Sequence, residues 1–74
     1  MTEKHIKLSP DTVVTFVKKS QQCDFNIDIS YDHTEVDAKS LLGMLSLDFS
    51  RIMHVKYYGK NEDLEGYINE LAVE

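Results

Sequence analysis

Apolar and polar residues alternate without a break in Phe25-Asn26-Ile27-Asp28-Ile29-Ser30-Tyr31. Successive side chains of a strand point to opposite faces of a sheet, so this pattern predicts a strand with one packed face and one wet face. Asp32-His33 is predicted to form a tight turn, and Thr34-Glu35-Val36 to return as a short edge strand. The centre of the chain is therefore predicted to be a β-hairpin.

The segment before this hairpin predicts one strand and one helix. Alternation in Lys4-His5-Ile6-Lys7-Leu8 predicts a short strand. Ser9-Pro10 is typical of a helix start, with serine as the N-cap and proline at the first helical position. Residues 12–17 are rich in β-branched side chains, which favour a strand locally. We nevertheless predict a helix, because one helical face collects Val13, Phe16, Val17 and Ser20.

The segment after the hairpin predicts a short helix, a strand and a longer helix. Ser40 could cap the short helix, whose inward face would hold Leu41, Met44 and Leu45. Alternation in Ile52–Tyr58 predicts a strand with Met53, Val55 and Tyr57 inward. Asn61 is predicted to cap a last helix that buries Leu64, Ile68 and Leu71. The order β-α-β-β-α-β-α predicts an α+β open sandwich, in which helices cover one face of a four-stranded antiparallel sheet.

Size and composition restrict the class of protein. With 74 residues and 42% hydrophobic side chains, residues 1–74 are predicted to form a single domain with a thin core. The formal net charge of −5 argues against a nucleic acid partner, because phosphate binding needs clustered Lys and Arg. Cys23 is the only cysteine, so no internal disulfide can form, which fits a reducing cytoplasm. We expect no membrane segment, no signal peptide and no cofactor.

The segment Asp37-Ala38-Lys39-Ser40-Leu41-Leu42-Gly43-Met44-Leu45-Ser46-Leu47 resembles the second-helix signature of HPr, the histidine-containing phosphocarrier of the bacterial sugar phosphotransferase system. The shared features are a Lys-Ser pair, two aliphatic residues, a glycine and a further Ser-Leu. The similarity extends from the Phe25 strand to the last helix and covers most of the chain. It implies an HPr-like open-faced β-sandwich with sheet order 1-4-2-3 and three helices on one face.

One part of the family pattern is absent. HPr carries its phosphoryl group on a histidine in a Gly-[Ile/Leu]-His-Ala-Arg-Pro-Ala loop between the first strand and the first helix. This chain instead passes from Leu8 through Ser9-Pro10-Asp11-Thr12, with neither the histidine nor the arginine. A phosphohistidine needs free N–H groups and a cation to hold the phosphate, and Asp11 would repel it. The sequence therefore predicts an HPr-like protein without the usual carrier activity.

Displaced acceptors remain an alternative. His5, His33 and His54 fall on different elements, so each is interpreted as a surface histidine, and no shared metal site is predicted. Ser9 occupies the carrier position in an ungapped alignment and is a candidate phosphate site, although helix capping explains it fully. The chain shows no nucleophile with a base and no glycine-rich phosphate loop, so we predict no enzymatic activity.

The resemblance also implies regulation and docking. In Gram-positive HPr proteins and their histidine-lacking relatives, a dedicated kinase phosphorylates the serine that corresponds to Ser40. The residues that match the family's docking surface are Lys39, Leu41, Leu42 and Leu47. The implied partners are phosphotransferase components, a serine kinase or a transcriptional regulator, with the protein as a monomer or weak dimer. The alternatives are a plain N-cap with an ordinary core helix, and a degenerate copy without activity.

Overall fold

The computed structural model describes residues 1–73, and it contains the predicted elements in the predicted order. They are β1 (Thr2–Ile6), α1 (Pro10–Gln21), β2 (Ile27–Tyr31), β3 (Thr34–Asp37), α2 (Leu41–Leu45), β4 (Met53–Tyr57) and α3 (Glu62–Leu71). The four strands form one antiparallel sheet in the order β1-β4-β2-β3. The predicted fold class is confirmed. Within residues 1–73, none of the helices has the length and apolar character needed to cross a bilayer.

Strand alternation separates a core face of the sheet from an open face. Ile29 pairs with Val55, and both are fully buried beneath the helices. Their neighbours project to the other side, where His54 of β4 stands between His5 of β1 and Ser30 of β2. The open face thus carries the polar half of each strand.

The first strand begins and ends earlier than its alternation predicts. β1 ends at Ile6, although Leu8 is only 2% exposed. Pairing with β4 stops at Ile6 because its partner, Met53, is the first residue of β4. On the other edge of β1, Ile6 forms an isolated bridge with Ala72, in which the amide of Lys7 donates to the carbonyl of Leu71 at 3.1 Å. Alternation therefore located the buried side chains correctly, while strand pairing stopped two residues earlier.

The β-branched segment is helical, as predicted, and its first turn is stabilised by reciprocal hydrogen bonds between Ser9 and Thr12. The amide of Thr12 donates to Ser9 Oγ at 3.2 Å, and the amide of Ser9 donates to Thr12 Oγ1 at 2.9 Å. These bonds form a capping box, which gives the amide of Ser9 a partner. The amide of Thr12 is shared between Ser9 Oγ and the Ser9 carbonyl, which lies 3.1 Å away. The predicted inward face is confirmed, since the buried residues of α1 are Val13, Phe16, Val17 and Ser20.

Ser20 gives a first testable prediction. Its hydroxyl is buried and has no hydrogen-bond partner among the described residues. A buried hydroxyl without a partner costs about 1–3 kcal/mol, and alanine is also the better helix former. We expect Ser20→Ala to raise the free energy of unfolding by about 1 kcal/mol in urea denaturation. Ser46→Ala is the control without this gain, because the Ser46 hydroxyl donates to the Gly43 carbonyl at 2.6 Å.

Candidate docking and phosphorylation site

Ser40 stands immediately before α2 with its side chain exposed. Ser40 Oγ accepts a hydrogen bond from the amide of Gly43 at 3.3 Å, and the Ser40 carbonyl accepts one from the amide of Met44 at 2.9 Å. A Cβ at position 43 would stand 3.2 Å from Ser40 Oγ, so glycine leaves the hydroxyl room to reach the backbone. The hydroxyl is therefore positioned by a long hydrogen bond and remains accessible from solvent.

Three leucines of α2 form an exposed apolar surface beside Ser40. Leu41 is 42% exposed, Leu42 is 82% exposed and Leu45 is 48% exposed. We call these three residues the leucine patch. Met44 is the buried residue of α2 and anchors the helix in the core. Exposed aliphatic residues that cluster on one short helix are typical of an interaction surface.

The structure corrects the predicted orientation of α2 in two respects. Leu41 and Leu45 do not face inward, because a helix of five residues offers the core little more than one side chain. Leu47, expected on the docking surface, is buried at 5% exposure and belongs to the core. The helix ends at Leu45 with Ser46 as its C-cap. The amide of Ser46 donates to the carbonyl of Gly43, and the turn that follows directs Leu47 inward. Leu45 therefore replaces Leu47 among the exposed leucines.

Lys39 holds the start of α2 against the end of α1. Its Nζ donates to the carbonyl of Cys23 at 2.8 Å, and its own carbonyl accepts from Gln21 Nε2 at 3.0 Å. Burial raises the pKa of the Cys23 thiol, an effect that the nearby Lys39 ammonium partly opposes. The docking role predicted for Lys39 stays a prediction, and its ammonium already has a partner within the chain.

The connection between β1 and α1 is short, and two of its residues have structural roles. It consists of Lys7, Leu8 and Ser9. Leu8 is buried in the core, and Ser9 is half-buried with its Oγ committed to the capping box with Thr12. Ser9 therefore acts as the helix cap that the sequence predicts.

None of the three histidines belongs to the β1–α1 connection or to the first turn of α1. His33 is exposed in the turn between β2 and β3. His5 and His54 are directly opposed on the open face, and their rings stack with 4.8 Å between centroids. His54 Nε2 also lies 2.7 Å from Glu3 Oε1. The sequence predicted three separate surface histidines, and the structure brings two of them together.

Finding that pairing requires both the neighbours of each strand and the register between them. With β1 and β4 adjacent and antiparallel, the inward residues Ile6 and Met53 pair, which sets His5 opposite His54. Alternation alone gives the face of each histidine but not the register between strands.

A match to a family model decides the classification. Residues 12–73 match the model of the PTS HPr component phosphorylation site. The chain belongs to the HPr family. The matched region begins inside α1 and so lies beyond the β1–α1 connection. No curated protein matches this HPr-family chain significantly.

Solved structures of HPr proteins share the fold. HPr-C-His from Thermoanaerobacter tengcongensis is 24% identical with a TM-score of 0.75, over 95% of this chain and 93% of that one. The phosphocarrier protein HPr of Bacillus anthracis is 21% identical with a TM-score of 0.71, over 95% of each chain. Crh of Bacillus subtilis, a catabolite repression containing protein described as a swapped-domain dimer, is 21% identical with a TM-score of 0.64, over 93% of this chain and 87% of that one.

Proposed function

We propose that this HPr-family protein is a cytoplasmic docking and regulatory module that does not carry a phosphoryl group on histidine. The observation that carries the proposal is the short β1–α1 connection, in which Leu8 fills the core and Ser9 closes the capping box. This connection provides neither an imidazole to accept a phosphoryl group nor an arginine to stabilise it. Asp11, in the first turn of α1, adds a negative charge where a phosphate would have to sit.

The three histidines offer poor surroundings for a displaced phosphoryl group. Residues paired across the four strands form rows on the open face, and the row that contains His5 and His54 also contains Glu35. The next row contains Glu3, Asp28, Asp37 and Lys56, so the two rows together hold four carboxylates and one ammonium. A phosphate dianion placed on either ring would meet this excess of negative charge. His33 is exposed in a turn that also contains Asp32. These charges support a function without phosphohistidine.

The proposed docking surface is the leucine patch with Ser40 at its edge. An apolar centre that loses water on binding supplies most of the free energy of a small interface. The partners we propose are other proteins: phosphotransferase components, a serine kinase or a transcriptional regulator. The similarity to Crh, a protein described by its part in catabolite repression, supports the regulatory reading.

Phosphorylation of Ser40 would switch this surface by charge. A phosphate adds about 1.5–2 negative charges at neutral pH. Leu41 and Leu42, the first residues of α2, would lie beside that charge. Lys39, the nearest cation in sequence, directs its ammonium to the Cys23 carbonyl in the unmodified protein rather than to the Ser40 hydroxyl. The modification would therefore change partner choice more than fold.

The test is incubation with the serine kinase of the phosphotransferase system, followed by mass spectrometry. We expect one acid-stable phosphate on the native protein and none on Ser40→Asn. Asparagine is the better control than alanine, because it preserves an N-cap that is worth about 1 kcal/mol. Ser46→Asn should still accept the phosphate. A phosphate that persists in Ser40→Asn, or no phosphate on the native protein, would contradict Ser40 as the switch.

A further inference from the structure

The stacked histidines of the open face are independent of the proposed docking surface. His5 and His54 occupy opposed positions of the two antiparallel strands β1 and β4. Directly opposed residues have Cβ atoms about 4.5–5.5 Å apart, so their side chains can contact each other. The two rings stack with 4.8 Å between centroids. Both rings reach solvent, since His5 is exposed and His54 is half-buried.

Glu3 adds the feature that distinguishes this pair from a simple ring stack. Its Oε1 lies 2.7 Å from His54 Nε2 and can accept a hydrogen bond from the N–H of that nitrogen. In a neutral imidazole, a carboxylate on one ring nitrogen fixes the proton there, so the lone pair available to a ligand is that of the other nitrogen, Nδ1. A carboxylate that orients histidine in this way is the usual second shell of a metal-binding imidazole.

We propose that His5 and His54 form a two-histidine site for a divalent transition-metal ion of the nickel or zinc type. Each ring would supply one nitrogen, at the usual distance of about 2.0–2.1 Å, after a rotation that the exposed position of His5 permits. Imidazole nitrogen suits these ions, whereas magnesium and calcium prefer oxygen ligands. The carboxylates of Glu3, Asp28, Glu35 and Asp37 raise the local concentration of cations at this face.

The site has two protein ligands and an orienting carboxylate. Among residues 1–73, no group of three or more His, Cys, Asp or Glu is arranged to hold a metal ion. Water would complete the coordination of the ion, so the affinity is that of an open surface site rather than that of a closed structural zinc site. The backbone hydrogen bonds already pair β1 with β4, and the ion would add a second link through the histidine side chains.

The experiment is a titration of the full chain, freed of any purification tag, with NiCl2 near neutral pH. Nickel is paramagnetic, so amide resonances close to the ion broaden in NMR spectra. We expect selective broadening around residues 5 and 54, and a dissociation constant below the millimolar range by calorimetry. His5→Asn and His54→Asn should each weaken binding at least about tenfold, and Glu3→Gln should weaken it by a comparable factor through His54.

His33→Asn is the matched control, because His33 is an exposed histidine outside the pair. It should leave the dissociation constant within about twofold of the native value, a difference too small to represent a lost ligand. ZnCl2 should compete with NiCl2, and MgCl2 should not. The proposal is overturned if nickel binds no tighter than millimolar, if His33→Asn weakens binding as much as His5→Asn does, or if broadening is centred away from the β1–β4 pair.

Discussion

Replacing Gly59 by alanine is expected to destabilise the protein by about 2–4 kcal/mol, because positive-φ strain adds to a steric overlap. Gly59 follows β4 with φ of 150°, a conformation that side chains other than glycine rarely adopt. An added Cβ would also overlap the ring of Phe25, which stacks on Tyr57 with 5.7 Å between centroids. The loss would remove a large share of the stability of a domain this small.

Gly66→Ala is the matched control for this substitution. Gly66 is exposed in α3, and an added Cβ would meet nothing within 4 Å. Alanine should therefore stabilise the protein by about 0.5–1 kcal/mol through helix propensity. Urea denaturation followed by circular dichroism compares the two variants. If both substitutions changed the free energy of unfolding equally and in the same direction, the packing described around Gly59 would be contradicted.

Leu42→Asp is expected to weaken binding to a partner at least tenfold, a loss of about 1.4 kcal/mol or more. Leu42 is the most exposed leucine of the patch, so its replacement places a charge at the centre of the proposed interface while removing little core packing. The stability of the variant should stay within about 0.5 kcal/mol of the native value. Calorimetric titration with the serine kinase or a phosphotransferase component measures the affinity.

The matched control for Leu42→Asp is Tyr58→Asp. Tyr58 is a large exposed side chain that directly follows β4 and lines a cavity of about 340 Å³ with Asn26, Asp28 and Lys56. It lies outside the leucine patch, so the same added charge should leave the affinity unchanged. An equal loss of binding in both variants would show that net charge, rather than the leucine patch, governs docking.

The fold was predictable because the spacing of apolar residues indicates which side chains are buried, and because residues such as serine and asparagine are typical N-caps. The inward residues of α1 and β4 were identified from spacing, and Ser9 and Asn61 were identified as caps from residue type. These signals are local, so they need no knowledge of the tertiary structure.

The candidate site was predictable only in part, since its details depend on where short elements stop. The sequence indicated Ser40 and an apolar helix, but the exposure of Leu45 and the burial of Leu47 follow from the end of α2 at Leu45. The contact between His5 and His54 follows from strand register, which is a property of the assembled sheet. Neither the exposure of these leucines nor the histidine contact can be inferred from the residues adjacent in sequence.

The most direct test of the proposed function is incubation of the native protein with phosphoenolpyruvate and the first kinase of the phosphotransferase system. A histidine-containing HPr serves as the positive control, and intact mass is compared before and after mild acid. We predict that the control gains one acid-labile phosphoryl group and that this protein gains none. An acid-labile phosphoryl group mapped to His5, His33 or His54, or an acid-stable one on Ser9, would contradict a docking module without carrier chemistry.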